Sequence, residues 1–427
     1  MATTARSNGV LAVLVGSGLS GLAAYGFQVL GTQALGAEGY APVGVLWTLQ
    51  FLLFSVILYP VETWVTRLRV TSDHPGGAAH RQAVMRRLGV MIVATAVVLG
   101  LAAWLARGPL FRDSPTLAAI VPVSVLAYGA YVVVRGLLAG GGLYVPYATA
   151  TGVESLFRLL LAGLVVLAGA TTTRLAWTLP SGALIAAALW WSRSRAGGTD
   201  SAPLLPEGAE PGPVRFLAAT VAANAAAQTL LAAGPLVAVP LGATAAQVSV
   251  CFVTVTLVRA PLVFGYGGLL SRLLPPLTRR AQAGDTAGLR SLGLRVVPVA
   301  LAAGALGGLI AALLGPAVVQ AFFGAGFRPE PVFIGTAAAA ALLATGNLLL
   351  NQVLVARHSE QRLVLPWLGA LAVAGFVLWL VPGSALTAIG VALLAGELAA
   401  LAGLAISLAT AGELAPAARV GAGNTGS

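Results

Sequence analysis

The chain has 427 residues, 58% of them hydrophobic and only 9% charged, with a formal net charge of +11 at pH 7. A water-soluble domain carries about a quarter charged residues, so this composition excludes one whose surface faces water throughout. The apolar runs are continuous and lack strict alternation, which excludes a membrane β-barrel and leaves helices that satisfy their own backbone in lipid.

Roughly twelve apolar stretches follow one another, each about 18–25 residues long, the length that crosses a ~30 Å hydrocarbon slab at 1.5 Å per helical residue. The spans are expected near 9–30, 41–66, 85–106, 116–139, 144–168, 174–191, 214–238, 244–269, 293–314, 332–354, 363–381 and 385–409. The fold class is therefore an all-α polytopic membrane protein. One early charge, Arg6, precedes apolar sequence to Leu30; a cleaved signal peptide is one reading, but the length favours a retained first span. Trp64, Trp104, Trp177, Trp190, Trp191 and Trp367 fall near span ends, where interfacial anchoring puts them.

All 24 basic residues are arginine. If the first residue is cytoplasmic, 18 of them fall on the same side, including Arg67, Arg69, Arg86, Arg87, Arg135, Arg290, Arg295, Arg357 and Arg362. Arg107, Arg112, Arg174 and Arg328 fall outside, while Arg158 and Arg259 lie within spans. This asymmetry puts both termini in the cytoplasm of a multi-pass protein of the cell membrane. The positive charge then forms a skirt facing anionic membrane lipids; scattered over six loops, it argues against a nucleic-acid partner.

The polar stretch from about Ser192 to Pro213, rich in Gly and Pro, reads as a flexible linker. It divides the chain into a six-helix lobe over 1–192, a cytoplasmic linker over 193–213, a second six-helix lobe over 214–410 and a tail over 411–427. The halves echo each other: Leu35-Gly36-Ala37 recurs as Leu241-Gly242-Ala243, and Arg86-Arg87-Leu88-Gly89 recurs as Arg290-Ser291-Leu292-Gly293. Phe111-Arg112 with Pro115 recurs as Phe327-Arg328 with Pro331. Both halves start on the same side, so the repeat is parallel, a layout that transporters use to rock two lobes around a midplane site.

Three patches resemble the polysaccharide-transporter branch of the multidrug/oligosaccharidyl-lipid/polysaccharide (MOP) flippase superfamily. The first is Ala34-Leu35-Gly36-Ala37-Glu38-Gly39-Tyr40. The second is Leu257-Val258-Arg259-Ala260-Pro261-Leu262 with Leu273-Leu274-Pro275 and Ala283-Gly284-Asp285. The third is Arg135-Gly136-Leu137-Leu138-Ala139-Gly140 leading to Tyr147, Glu154 and Arg158. The layout matches over nearly the whole chain, although members of that branch often have two further C-terminal spans. The resemblance implies a carrier that turns lipid-linked saccharides across the membrane.

Ionisable residues inside a membrane are functional candidates by default. Arg259, near the middle of its span, offers a planar fork of donors suited to a lipid diphosphate, or else an ion pair to another helix. Glu154 and Arg158 stand four residues apart on one helical face, as a self-neutralising pair or as an ion-coupling carboxylate with its neighbour. Glu397 has no basic residue within a helical turn, so it pairs with another helix, Arg158 or Arg259 being at similar depth, or serves in coupling. Glu62 reads as an interfacial salt bridge to Arg67 or Arg69, or as a gate between lobes. Thr220, Asn224 and Gln228 form one polar stripe, and Ser17, Tyr25 and Gln28 another; both are candidates for a wet cleft or for interhelical hydrogen-bond glue, as are Asn347 and Asn351. Pro60, Pro235 and Pro261 mark bends.

Cys251 is the only cysteine, and His74, His80 and His358 all fall in loops, with neither CxxC nor HExxH present. No metal site, catalytic residue or cofactor is therefore expected, and without a P-loop no ATP hydrolysis. The reading is a flippase or exporter of a lipid-linked oligosaccharide or polysaccharide precursor working by alternating access. Its alternatives are an ion-coupled multidrug or metabolite exporter and a membrane-embedded polysaccharide-assembly enzyme. A glycosyltransferase or polymerase of the cell envelope is a candidate partner.

Overall fold

A computed structural model of the chain describes residues 2–71, 77–196, 213–260, 262, 277, 279–280, 283–357 and 359–410. Among these residues there are helices and turns but no strand. Among the described residues nine helices are long and apolar enough to cross a membrane. The first of them is two spans joined at a kink, and Val221–Ala232 and Ala245–Val258 are shorter apolar helices. The architecture is a polytopic helical bundle of about twelve spans.

The first half holds α1 (Ala2–Leu52), a π-helical turn (Leu53–Leu58), α2 (Tyr59–Thr71), α3 (Gly77–Leu105), α4 (Arg107–Phe111), α5 (Pro115–Gly140), α6 (Tyr144–Leu167) and α7 (Thr172–Ala196). The second holds α8 (Pro213–Ala232), α9 (Gly234–Ala238), α10 (Ala245–Val258), α11 (Thr286–Phe323), α12 (Pro331–Ala356), a 3-10 turn (Glu360–Leu363), α13 (Val364–Leu380) and α14 (Ala385–Thr410). α6 lies along α1, and α5 packs on α2, α3 and α7; in the second half α12 packs on α11 and α14, and α13 on α14 and α8. The halves meet where α1 lies against α10 and the π-helical turn against α8.

Several boundaries differ from expectation for local reasons. No loop follows the first span: α1 reverses at Gly36 alone, with φ 66° and ψ 177°, and helix resumes at once. A positive φ costs little for glycine only, so one residue makes the turn. Gly242, its echo in the second half, also has positive φ (77°). The third echo has a structural meaning too: Phe111 and Phe327 are both buried, and Pro115 and Pro331 each start a helix, where a missing N–H is harmless. The seventh span is divided at Ala233 before Gly234-Pro235, and the eighth ends its regular helix at Val258. α7 continues through Arg193 and Arg195 to Ala196, into the expected linker, because arginine is a good helix former. The remainder of that linker, 197–212, the tail 411–427 and Leu273-Leu274-Pro275 lie outside the described residues.

α3 and α11, third in their halves, leave long apolar faces exposed: Val90, Val93, Val97 and Leu101 on one, Val299, Leu306, Leu309 and Leu313 on the other. In water such faces would drive association, and in hydrocarbon they are the natural surface. The core instead gathers between α1, α5, α7, α10, α12 and α14 around Phe27, Tyr40, Phe111, Phe252 and Trp367.

Candidate functional site at the junction of the two halves

The junction is built on a defect in the second arm of α1. Tyr59 N–H bonds to the Phe54 carbonyl, five residues back, so the chain runs in π register before Pro60. In that register the amide owed to the Ser55 carbonyl would come from Pro60, which has none. Asn224 of α8 supplies the donor instead: its Nδ2 lies 3.0 Å from the Ser55 carbonyl oxygen. A backbone fault in one half is thus closed by a side chain from the other.

One turn before the defect, the Phe51 ring faces Arg259, whose guanidinium carbon is 4.6 Å from the ring centroid. Arg259 follows the last residue of α10, and 263–269 of its expected span lie outside the described residues. It caps the broken end of α10, its N–H bonding to the Val255 and Leu257 carbonyls. Its Nε is buried without a hydrogen-bond partner, and no described carboxylate is within ion-pair distance. Beside it the Tyr25 hydroxyl donates to the Thr256 carbonyl at 2.8 Å, a second bond across the junction. Gln228, one turn beyond Asn224, is half-buried and its Oε1 finds no partner. Ser17 is exposed, Gln28 is buried within the first half accepting a bond from the Tyr40 hydroxyl, and the Thr220 side chain lies outside the described residues.

Towards the Gly36 end the junction is shut. Gln33 Nε2 donates to the Phe322 carbonyl at 3.1 Å, Ser249 Oγ to the Ala37 carbonyl at 2.5 Å, and the Tyr40 and Phe252 rings lie 6.1 Å apart.

Two ionic clusters sit inside the first half. Glu154 and Arg158 of α6 form an ion pair at 3.1 Å, both about 95% buried. Tyr128 of α5 donates to Glu154 Oε1 at 2.6 Å and Ser155 to Oε2 at 2.6 Å, while Arg158 lies 4.5 Å from the Trp47 ring. Gly182 of α7 brings this cluster close: a Cβ there would meet the Glu154 carbonyl at 2.1 Å. The second cluster gives Glu62 a partner that its sequence neighbours did not suggest. Its partner is Arg135 of α5, at 3.2 Å, with Tyr147 of α6 bonded to both. Arg135 also lies over the rings of Phe54, Tyr131 and Tyr147. The Arg67 side chain is outside the described residues.

Glu397 differs as well. It pairs with no arginine among the described residues; Asn347 Nδ2 donates to its Oε2 at 2.7 Å and its carbonyl at 3.0 Å, while Oε1 is buried without a partner. Arg259 is nonetheless within electrostatic reach. Asn351 accepts a bond from Trp367 at 3.3 Å, inside the second half. Sequence reasoning missed Phe51, Trp47 and Tyr128, and named Tyr147 only within a patch of the resemblance. Aromatic residues at helical spacing carry no signal that separates core packing from a cation partner.

No protein-family profile matches the chain. It is 24% identical over 416 residues to an uncharacterized protein of Mycobacterium bovis, covering 95% of this chain and 93% of that one. Another uncharacterized protein, of Mycobacterium tuberculosis, is 27% identical over 331 residues, covering 76% and 74%. Among solved structures it is similar to the inward-facing conformation of a multidrug resistance MATE family transporter of the MOP superfamily (TM-score 0.68, 12% identity, 91% and 93% covered). The outward-facing conformation of such a transporter gives a TM-score of 0.54, at 14% identity and 93% and 94% coverage. The lipid II flippase MurJ, in an inward closed conformation, gives 0.55 at 12% identity, with 91% and 86% covered. The chain thus has a helical membrane fold like that of these MATE transporters and of MurJ.

Proposed function

We propose that the protein is a flippase or exporter that moves a lipid-linked oligosaccharide or polysaccharide precursor across the cytoplasmic membrane by alternating access. The observation that carries this reading is Arg259. A guanidinium at the junction of two halves, with no described carboxylate in ion-pair distance, is costly in a membrane unless something else meets it. A diphosphate presents planar pairs of acceptors to such a fork. Tyr25 and Asn224 bond across the same junction, and with Gln228, one turn beyond Asn224, they carry neutral donors and acceptors for a saccharide head. The prenyl or acyl tail stays in lipid, beside the apolar faces of α3 and α11.

The seam of bonds at the Gly36 end and the larger similarity to the inward-facing MATE conformation support a state open to the arginine-rich side. By the arginine asymmetry that side is the cytoplasm, with both termini there. Substrate then enters from the inner leaflet, the halves rock, and the Gly36 end opens. Glu397 or the Glu154–Arg158 pair is the place for ion coupling.

A second reading, an ion-coupled drug or metabolite exporter, draws on the buried Glu397 carboxyl with its unpartnered oxygen. The two differ in what Arg259 does. Export of surface polysaccharide is to be measured in cells carrying Arg259→Ala or Arg259→Lys at normal protein level. Loss in both, with drug sensitivity unchanged, supports the flippase; intact export with raised drug sensitivity supports the exporter.

A further inference from the structure

The first three turns of α11 carry a second concentration of positive charge, far along the chain from Arg259. A cavity of about 550 Å³ opens there, lined by Thr286, Arg290, Ser291, Arg295 and, from the end of α12, Arg357. Its volume is that of a small-molecule site. Thr286 with Arg290 and Ser291 with Arg295 are spaced i, i+4, so two rows of the helix each bring one hydroxyl and one arginine to the cavity wall.

The three arginines are not equivalent. Arg290 and Arg295 are exposed, whereas Arg357 is only 2% exposed and is held by its own bond to the Leu408 carbonyl at 3.4 Å. Burial and the nearby charges of Arg290 and Arg362 pull its pKa below the ordinary arginine value. Like charges gathered around a hollow repel one another unless an anion sits among them. No described carboxylate is in ion-pair distance of Arg290 or Arg295. The closest in sequence, Asp285, is turned to cap the helix, its Oδ1 accepting from Gly288 N–H at 2.9 Å. The first amides of α11 add the positive end of a helix dipole on the same side.

Depth selects the kind of anion. α11 has 38 residues, about 57 Å at 1.5 Å per residue, so its ends project beyond a ~30 Å hydrocarbon slab. The apolar exposed run begins at Val299, and Arg290 and Arg295 lie before it, at headgroup level.

We propose that this cavity is a binding site for the phosphate of an anionic phospholipid headgroup, held by Arg290, Arg295 and Arg357 with the hydroxyls of Thr286 and Ser291. Phosphate chemistry is shared by free phosphate, so the test separates the sources. Full-length protein is placed in nanodiscs of phosphatidylcholine with increasing phosphatidylglycerol, and thermal stabilisation and retained lipid are measured, the latter by native mass spectrometry. The variants are Arg290→Ala/Arg295→Ala and, as the equivalent exposed pair in the other half, Arg86→Ala/Arg87→Ala. Both pairs are on the surface, so folding is preserved.

A specific site predicts that the α11 pair weakens phosphatidylglycerol binding about tenfold or more, while the α3 pair changes it less than about threefold. Arg357→Lys is expected to keep a reduced but measurable preference. Equal losses in the two pairs, or none in the α11 pair, overturn the proposal in favour of a uniform basic surface. Saturation of the same stabilisation by inorganic phosphate without the lipid overturns the lipid assignment.

Discussion

The Arg259 guanidinium carbon rests 4.6 Å from the centre of the Phe51 ring, joining the end of α10 in one half to α1 in the other. The contact holds the cation at the junction without neutralising it, which leaves its donors open to an incoming anion. Phe51→Leu keeps the apolar volume and removes the ring face. A half-desolvated cation–π contact contributes about 1–2 kcal/mol. Where Arg259 must be held for substrate, polysaccharide export is expected to fall about tenfold with little loss of folded protein, read from export rate and membrane abundance together.

The closed seam is open to direct test. A Cβ placed on Gly326 would lie 3.5 Å from the Cβ of Ala37, within the range a disulfide needs. Ala37→Cys with Gly326→Cys is expected to cross-link under mild oxidant and to arrest transport, with recovery on reduction. Cys251 is buried and does not compete. Efficient cross-linking with undiminished transport would mean that this end does not need to open.

Pro60 and Asn224 are expected to be energetically coupled. Asn224→Ala removes the hydrogen bond that reaches the Ser55 carbonyl from α8, at a cost of about 1 kcal/mol. In a Pro60→Ala background the restored amide can serve that carbonyl, so the same substitution should cost much less. A double-mutant cycle on thermal unfolding in detergent measures the difference, and additivity would refute the π-register account.

Glu154 and Arg158 are to be read as a unit. Arg158→Ala leaves a buried carboxylate with only hydroxyl donors, a loss of about 3–5 kcal/mol. Arg158→Leu combined with Glu154→Leu removes both charges and is expected to recover most of that stability. If transport also survives in the double variant, the pair serves packing; if stability returns without transport, it serves coupling.

Gly182→Ala tests the close approach of α7 to α6. The added methyl would sit 2.1 Å from the Glu154 carbonyl oxygen, a clash that only helix displacement relieves. Overpacking of this kind costs about 1–3 kcal/mol. The expected result is lowered thermal stability together with disturbed Glu154 chemistry, both reversed by no single compensating charge change.

What could be read from the chain alone was what depends on neighbours along it. Span count follows from apolar length against a slab of fixed thickness, and the two-half layout from echoes such as Leu35-Gly36 and Leu241-Gly242, whose shared left-handed glycines are a local backbone requirement. The ionic residues inside spans were visible because hydrocarbon makes each conspicuous. Their partners were not. Glu62 meets Arg135 and Tyr147, on helices far along the chain, and Glu397 meets Asn347 and none of the described arginines, because hydrogen-bond geometry across packed helices depends on rotation and depth that no sequence spacing encodes. Only the tertiary structure decided that the π-helical turn before Pro60 is closed by Asn224, that α10 stops at Val258 with Arg259 as its cap, and that Arg290, Arg295 and Arg357 surround one cavity.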